Sequence, residues 1–380
     1  MKDHWTVKPF ENCIDNVTYT TKIQRKDFLN DGAFPVISQE EAFINGYWDN
    51  EADLFTVNTP VVIFGDHTKT LKYVDFDFVL GADGVKILQP REFLLTKFFF
   101  YYLQTANLDS LGYARHYKLL KELEIAYPPM PEQQRIVGIL DEAFEGLATA
   151  KVNAEKNLKN VRAIFESELN AIFTRKGEGL DESTLGTEID ILCGFPFKSA
   201  QYTKDKTDVR LLRGDNIAQG SLRWDDVKCW PAEDTDEYER YALCASDVVL
   251  AMDRPWVKAG LKRAQLAPED LPCLLVQRTA RLRGNRNLLN RFLFYLISSN
   301  SFTRHILGVQ TGIGVPHISA QQIKDFRFFI PPVKAQLNIA NQLDALSEET
   351  QSLESIYQRK LERLEALKKS LLHHAFTGQL

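Results

Sequence analysis

No stretch of this chain approaches the run of about 18 apolar residues that a membrane helix requires. The most apolar segment, Phe98 to Leu103, is short and closed by Gln104. The opening, MKDHWTVKPF, lacks the apolar core of a secretory signal, so the expected compartment is the cytoplasm, with no membrane partner. Cysteine is sparse. Cys13, Cys193, Cys229, Cys244 and Cys273 are scattered, make no CxxC pair and are odd in number, which argues against a disulfide framework and for reduced thiols. Catalytic punctuation is missing as well: there is no Walker A lysine loop, GxGxxG, HExxH or GxSxG. The Asn/Asp-Pro-Pro-aromatic tetrapeptide of amino-methyltransferases is absent, because the two Pro-Pro pairs follow Tyr127 and Ile330 and precede Met130 and Val333. Asp205 with Lys206, or Asp66 with Lys69, matches only half of the acid–x–Lys motif of nucleases. His373 and His374 read as favourable charge at a helix end. Neither a catalytic centre, a cofactor nor a metal site is expected.

What is present is ordinary for a folded protein: 380 residues, 44% hydrophobic and 26% charged, enough for two to three domains. The net charge of −5 argues against a sequence-indifferent nucleic-acid coat protein. That charge is unevenly distributed. Residues 1–127 carry 13 basic and 18 acidic side chains, whereas residues 187–330 carry 20 and 17. Within the second block Arg278, Arg281, Arg283, Arg286 and Arg291 follow one another with no acid among them. From charge alone, a solvated rim explains this as well as a binding face does.

The chain also repeats itself. AYPPMPEQQRIVGILDEAF (126–144) and FIPPVKAQLNIANQLDAL (329–346) share the Pro-Pro pair, then Gln133 and Gln336, Ile136 and Ile339, Leu140 and Leu343, Asp141 and Asp344, all at an offset of 203. After each Pro-Pro the period becomes helical. Leu140, Leu147, Ala154 and Val161 recur every seven residues, as do Leu343, Tyr357, Leu364 and Leu371 with Leu346, Leu353 and Leu367 between them, and Thr350, Lys151 and Glu168 are local spoilers. Proline suits a helix's first turn and stops what precedes it, so helices are predicted over about 132–174 and 334–376. The segments before them hold short apolar or alternating runs punctuated by Gly, Pro and Asp, the pattern of strands and turns. LLTKFFFYYLQTAN (94–107) corresponds to LLNRFLFYLISSN (288–300), and LKELEIAYPP (120–129) to IKDFRFFIPP (323–332). The duplicated unit is therefore a whole module, an α/β (α+β) globule closed by a long helix. The two helices are expected to form an antiparallel coiled coil.

In this order and in two copies, the residues resemble the specificity subunit of type I restriction–modification systems. The matching passages are KIQRKDFLNDGAFPVISQ (22–39), IFGDHTKTLKYVDFDFVLGADGVKIL (63–88), LLRGDNIAQGSL (211–222), DVVLAMDRPWVKAGLKRAQL (247–266), GVPHIS (314–319), both PPxxxQ helix starts and LKKSLLHHAFTGQL (367–380). The resemblance implies a first target-recognition domain over 1–130 and a central spacer helix over 131–180. It likewise implies a second recognition domain over 181–332 and a C-terminal spacer helix over 333–380. It implies that each domain reads half of a split double-stranded DNA target, that the helices set the gap, and that methyltransferase subunits (two expected) and restriction–translocase subunits assemble on the chain.

For DNA contact the candidates combine cations with loop context: His67, Lys69, Lys72 and Lys86 in the first half, and Arg213, Lys258, Lys262, Arg263, Arg278, Arg281, Arg283 and His317 in the second. Arginine can grip guanine bidentately, and lysine tends to neutralise phosphate. Gln39, Asn216 and Gln219 are candidates for reading adenine. The aromatics Phe98–Tyr102 and Phe292–Tyr295 are expected in the core. Two other readings compete: a coiled-coil scaffold whose globules bind protein, and a fused methylase–nuclease, which fails for want of a cofactor motif.

Overall fold

The computed structural model describes residues 4–82, 84–106, 108, 115–174, 181–257, 260–312 and 315–380. The chain divides into two compact units, Met1–Lys156 with Gln358–Leu380, and Asn157–Tyr357.

Both units are built on one plan. In the first, strand Thr6–Pro9 pairs antiparallel with Glu124–Tyr127. Beside them lies an antiparallel sheet in the order Ile14–Asp15, Val85–Pro90, Val61–Gly65, Leu71–Val74. In the second unit, Asp181–Thr184 pairs with Arg327–Ile330, and the sheet runs Ile189–Cys193, Thr279–Gly284, Val248–Ala251, Arg263–Gln265. The duplication inferred from the Pro-Pro pairs is thus repeated strand for strand. The units differ in what is added. The first carries a mixed sheet around Phe78–Gly81. The second carries a three-stranded sheet around Val209–Leu212 and a small hairpin, Trp256–Val257 with Gly260–Leu261.

A short apolar helix covers each core: Thr96–Gln104 in the first unit, with Phe98 and Phe99 fully buried, and Asn290–Ser298 in the second, with Phe292, Leu293 and Ile297 nearly or fully buried. Of the aromatics predicted for the core, Phe98, Phe99, Tyr101, Phe292 and Tyr295 are buried, and Phe100, Tyr102 and Phe294 pack half-buried against it. The long helices, Met130–Thr174 and Val333–Thr377, have 45 residues each. Gly378 takes φ 77° just past the end of the second, the left-handed cap that only glycine adopts without steric cost.

What docks each helix start is the repeated glutamine. Gln133 is fully buried, and its amide accepts from the Leu95 N–H at 2.8 Å while donating to the Phe93 and Pro128 carbonyls at 2.9 Å each. Gln336 does the same with the Leu289 N–H at 2.9 Å and the Asn287 and Pro331 carbonyls. About two turns further on, Asp141 accepts from the Tyr101 hydroxyl and from Lys97 at 2.8 Å. Asp344 likewise takes the Tyr295 hydroxyl and the Arg291 guanidinium. A buried amide with every bond made costs little, whereas each group left unpaired costs about 1–3 kcal/mol. Gln336→Leu is therefore expected to destabilise the second unit by at least about 2 kcal/mol in denaturant unfolding, and Gln133→Leu to do the same to the first.

In each unit the two long helices run antiparallel. In the first, Arg135 reaches the Leu380 carbonyl at 2.9 Å and Lys151 meets Glu365 at 2.8 Å. In the second, Arg162 meets Glu354 at 3.2 Å, and Leu169 packs in one cluster with Leu343. Leu140, Ala154, Val161 and Leu343 are buried as the seven-residue period requires. Two positions depart from it. Leu367 is largely exposed. Thr350, expected to interrupt the seam, is buried, because its hydroxyl donates to the Leu346 carbonyl at 2.8 Å and so carries no unpaired polar atom inward.

Candidate nucleic-acid interface

Both units turn the same end of the sheet into loops. In the first, the Asp66 N–H donates to the Gly84 carbonyl at 2.7 Å, and the Asp66 carbonyl accepts from the His116 N–H at 2.7 Å. In the second, the Met252 N–H donates to the Arg278 carbonyl at 2.8 Å, and the Met252 carbonyl accepts from the Ile318 N–H at 2.9 Å. The loop after the central strand therefore occupies an equivalent place in each repeat, and Gly84 and Arg278 are counterparts.

In the second unit these loops enclose a cleft of about 380 Å³ lined by Arg213, Arg254, Lys262, Arg278, Asp215 and Asp253, among others. Arg278 is mostly exposed and pairs with Asp253 at 2.8 Å, while Arg213 pairs with Asp215 at 3.0 Å. Burial holds the Lys262 ammonium below the ordinary lysine range. His317 is exposed beside the cleft, its backbone in an antiparallel β-bridge with that of Asp253 and its ring nitrogen 2.9 Å from the Thr311 hydroxyl. Four cations against two carboxylates leave the cleft positive, in a chain that is negative overall. Arg254 was missed in the sequence because it stands alone between Asp253 and Pro255.

Backbone geometry marks the same residues. Among the described residues, the non-glycines with positive φ are Lys69 (60°), Ser246 (69°), Arg254 (45°) and Arg278 (65°). Such a conformation costs a non-glycine residue on the order of 1–3 kcal/mol and collects at functional sites. Three of the four are cations in the candidate loops.

The first unit gathers fewer charges. His67, Thr68 and Gln39 form one patch: the Gln39 side chain accepts from the His67 N–H at 3.1 Å, and the Thr68 hydroxyl donates to the Gln39 carbonyl at 2.6 Å. Gly84, with φ 78°, presses so closely that a Cβ there would lie 2.5 Å from Gln39 Oε1 and 2.9 Å from His67. Lys69 reaches the Leu108 carbonyl at 3.3 Å, and Lys86 stacks over Tyr117 at 5.2 Å.

Four of the expected contact residues have other work. Lys72 is buried, with its ammonium on the Ala42 and Phe43 carbonyls and the Asn45 side chain, and burial pushes its pKa down to about 8. Arg263 donates to the Ser298 hydroxyl and lies over Phe294, with burial pulling its pKa down to about 10. Arg281 is buried against Asp190. Arg283 grips Asp247 with two nitrogens. Asn216 is also structural, with its amide between the Arg213 N–H and the Arg223 carbonyl. Gln219 is exposed. Lys258 lies outside the described residues. Among those residues, no group of three or more His, Cys, Asp or Glu is placed to hold a metal, and no helix is long and apolar enough to cross a membrane.

A duplicated α+β module, each copy with a loop surface at one end of its sheet and a helix docked by a buried glutamine, defines a class of two-domain repeat proteins. The model of the type I restriction modification DNA specificity domain matches residues 14–159 and 220–363, and the chain belongs to that family. It is 36% identical over 180 residues to the EcoAI specificity subunit of Escherichia coli, covering 47% of this chain and 30% of that protein. It is 26% identical over 280 residues to the MjaVIII specificity subunit of Methanocaldococcus jannaschii, covering 69% and 63%. Against the EcoR124I/EcoR124II specificity subunit of E. coli, identity is 25% over 365 residues, covering 90% and 86%. The matched parts therefore span less than two thirds of the first two relatives.

Two solved structures share the fold. A chain from work on complex assembly and conformational transition of the type I R-M system superposes with a TM-score of 0.74 at 15% identity, covering all of this chain and 99% of that one. The HsdS subunit from Thermoanaerobacter tengcongensis gives 0.54 at 16% identity, covering 100% and 98%.

Proposed function

We propose that the chain is a non-catalytic, cytoplasmic subunit that reads a bipartite double-stranded DNA target and carries methyltransferase and restriction subunits. Residues 1–130 and 181–332 are the two recognition domains, and residues 131–180 and 333–380 are the spacer helices. The observation that carries this reading is the repeat itself: two copies of one scaffold turn the same loop end outward, and cations with strained backbones collect there. A scaffold that only bound protein would have no need of left-handed arginines around a positive cleft. The contact set supported in the second unit is Arg213, Arg254, Lys262, Arg278 and His317. In the first it is His67, Lys69 and Lys86, with Gln39 beside them.

The test is a gel shift with the methyltransferase subunits present and absent. A net charge of −5 limits counterion release, so the chain alone is expected to bind weakly and the assembly tightly. Nanomolar specific binding by the lone chain at physiological salt would contradict this. Inserting seven residues at matched places in both long helices adds about 10 Å to each. Methylated-base mapping should then show the gap between half-sites lengthened and the bases of both half-sites unchanged.

A further inference from the structure

Trp256 is 41% exposed and its neighbour Val257 is 38% exposed. An indole left in water forgoes one of the largest burial terms a side chain has, so an exposed tryptophan on a paired strand calls for a partner. The strand is paired. Trp256 pairs with Leu261 and Val257 with Gly260. At the base of the hairpin the Lys262 N–H donates to the Pro255 carbonyl at 2.8 Å, and the Arg254 N–H donates to the Pro316 carbonyl at 2.7 Å. Gly260 has φ 121°, and a Cβ built on it would lie 3.9 Å from the indole edge, so the ring rests across the bare glycine of the opposite strand. Arg254 and Lys262, at the two feet of this hairpin, both line the positive cleft.

We propose that Trp256 is a wedge that stacks on, and partly opens, a base step in the half-site taken by the second unit, while Arg254 and Lys262 hold the flanking phosphates. This rests on the cleft facing DNA. Charge selects the occupant. An apolar ring on a hairpin with a cation at each foot suits a duplex, in which stacked bases lie between phosphate strands, and apolar wedges that unstack a step are a known way of kinking DNA. A protein partner offering an aromatic pocket would be expected to meet such a ring with fewer cations around it.

The experiment uses the chain assembled with its methyltransferase subunits and target duplexes carrying 2-aminopurine at successive positions of each half-site. Wild type is expected to raise the fluorescence at one step of the second unit's half-site. Trp256→Ala should abolish that rise and weaken binding about 5- to 100-fold, with Trp256→Phe between the two and the unfolding midpoint unchanged. An unaltered signal and affinity in Trp256→Ala would overturn the wedge. So would a loss of methyltransferase assembly in the absence of DNA, which would make the ring a protein contact. If Arg254→Ala with Lys262→Ala also binds DNA like wild type, the cleft itself does not face DNA. If that pair loses binding while Trp256→Ala does not, only the wedge fails.

Discussion

Replacing Arg254, Lys262 and Arg278 together by alanine should weaken specific binding of the assembled complex by at least about a hundredfold and relax only one half of its target. Each true base contact is expected to contribute about 1–3 kcal/mol, and each phosphate contact to steepen the salt dependence. The salt slope separates these roles: it should fall by about 1 for each residue that held a phosphate and hardly change for one that read a base. Arg278 offers a cleaner single variant. Its φ of 65° is one that glycine adopts freely, and its partner Asp253 is reached from a mostly exposed side chain, a pair of small net worth. Arg278→Gly should therefore leave unfolding stability equal to wild type or slightly higher while binding falls. Mapping methylated bases across a genome is the check. An equal change in both half-sites would show that the two units do not read separately.

The frame was legible because its signals are local. Proline before a helix, a seven-residue apolar period and a repeated glutamine each state their structural role within one or two turns, and the second copy confirms the first. Leu367 was misread because a heptad label fixes a helix face but not what lies opposite it. The loops were harder. Arg278, Arg281 and Arg283 look alike in the sequence, yet the partners that distinguish them, Asp253, Asp190 and Asp247, come from other parts of the chain. Backbone strain is hidden for a related reason: the usual marker of a left-handed residue is glycine, and the second repeat has arginine there. Setting Gly84 against Arg278 through the repeat register would have exposed it.

Arg283→Ala should behave unlike Arg278→Ala in every respect but one. Asp247 is almost wholly buried, accepts the Cys244 N–H at 2.8 Å and takes two nitrogens of Arg283. Those bonds hold the guanidinium above even its ordinary pKa. Removing the arginine leaves the Asp247 carboxyl inside the second unit with, among the described residues, the Cys244 N–H as its remaining donor. Arg283 is itself a third exposed, so breaking the pair from its side costs up to, and no more than, the roughly 3–5 kcal/mol of a fully buried one. Denaturant unfolding should show a loss of that size for Arg283→Ala and almost none for Arg278→Ala, although both lose DNA binding. Asp247→Asn combined with Arg283→Met removes both charges while retaining an amide oxygen for the Cys244 N–H, and should recover much of the lost stability. Binding should then return as well, because Arg283 serves DNA only by keeping the sheet under the cleft folded. If the recovered double variant still failed to bind, Arg283 would be a contact residue after all.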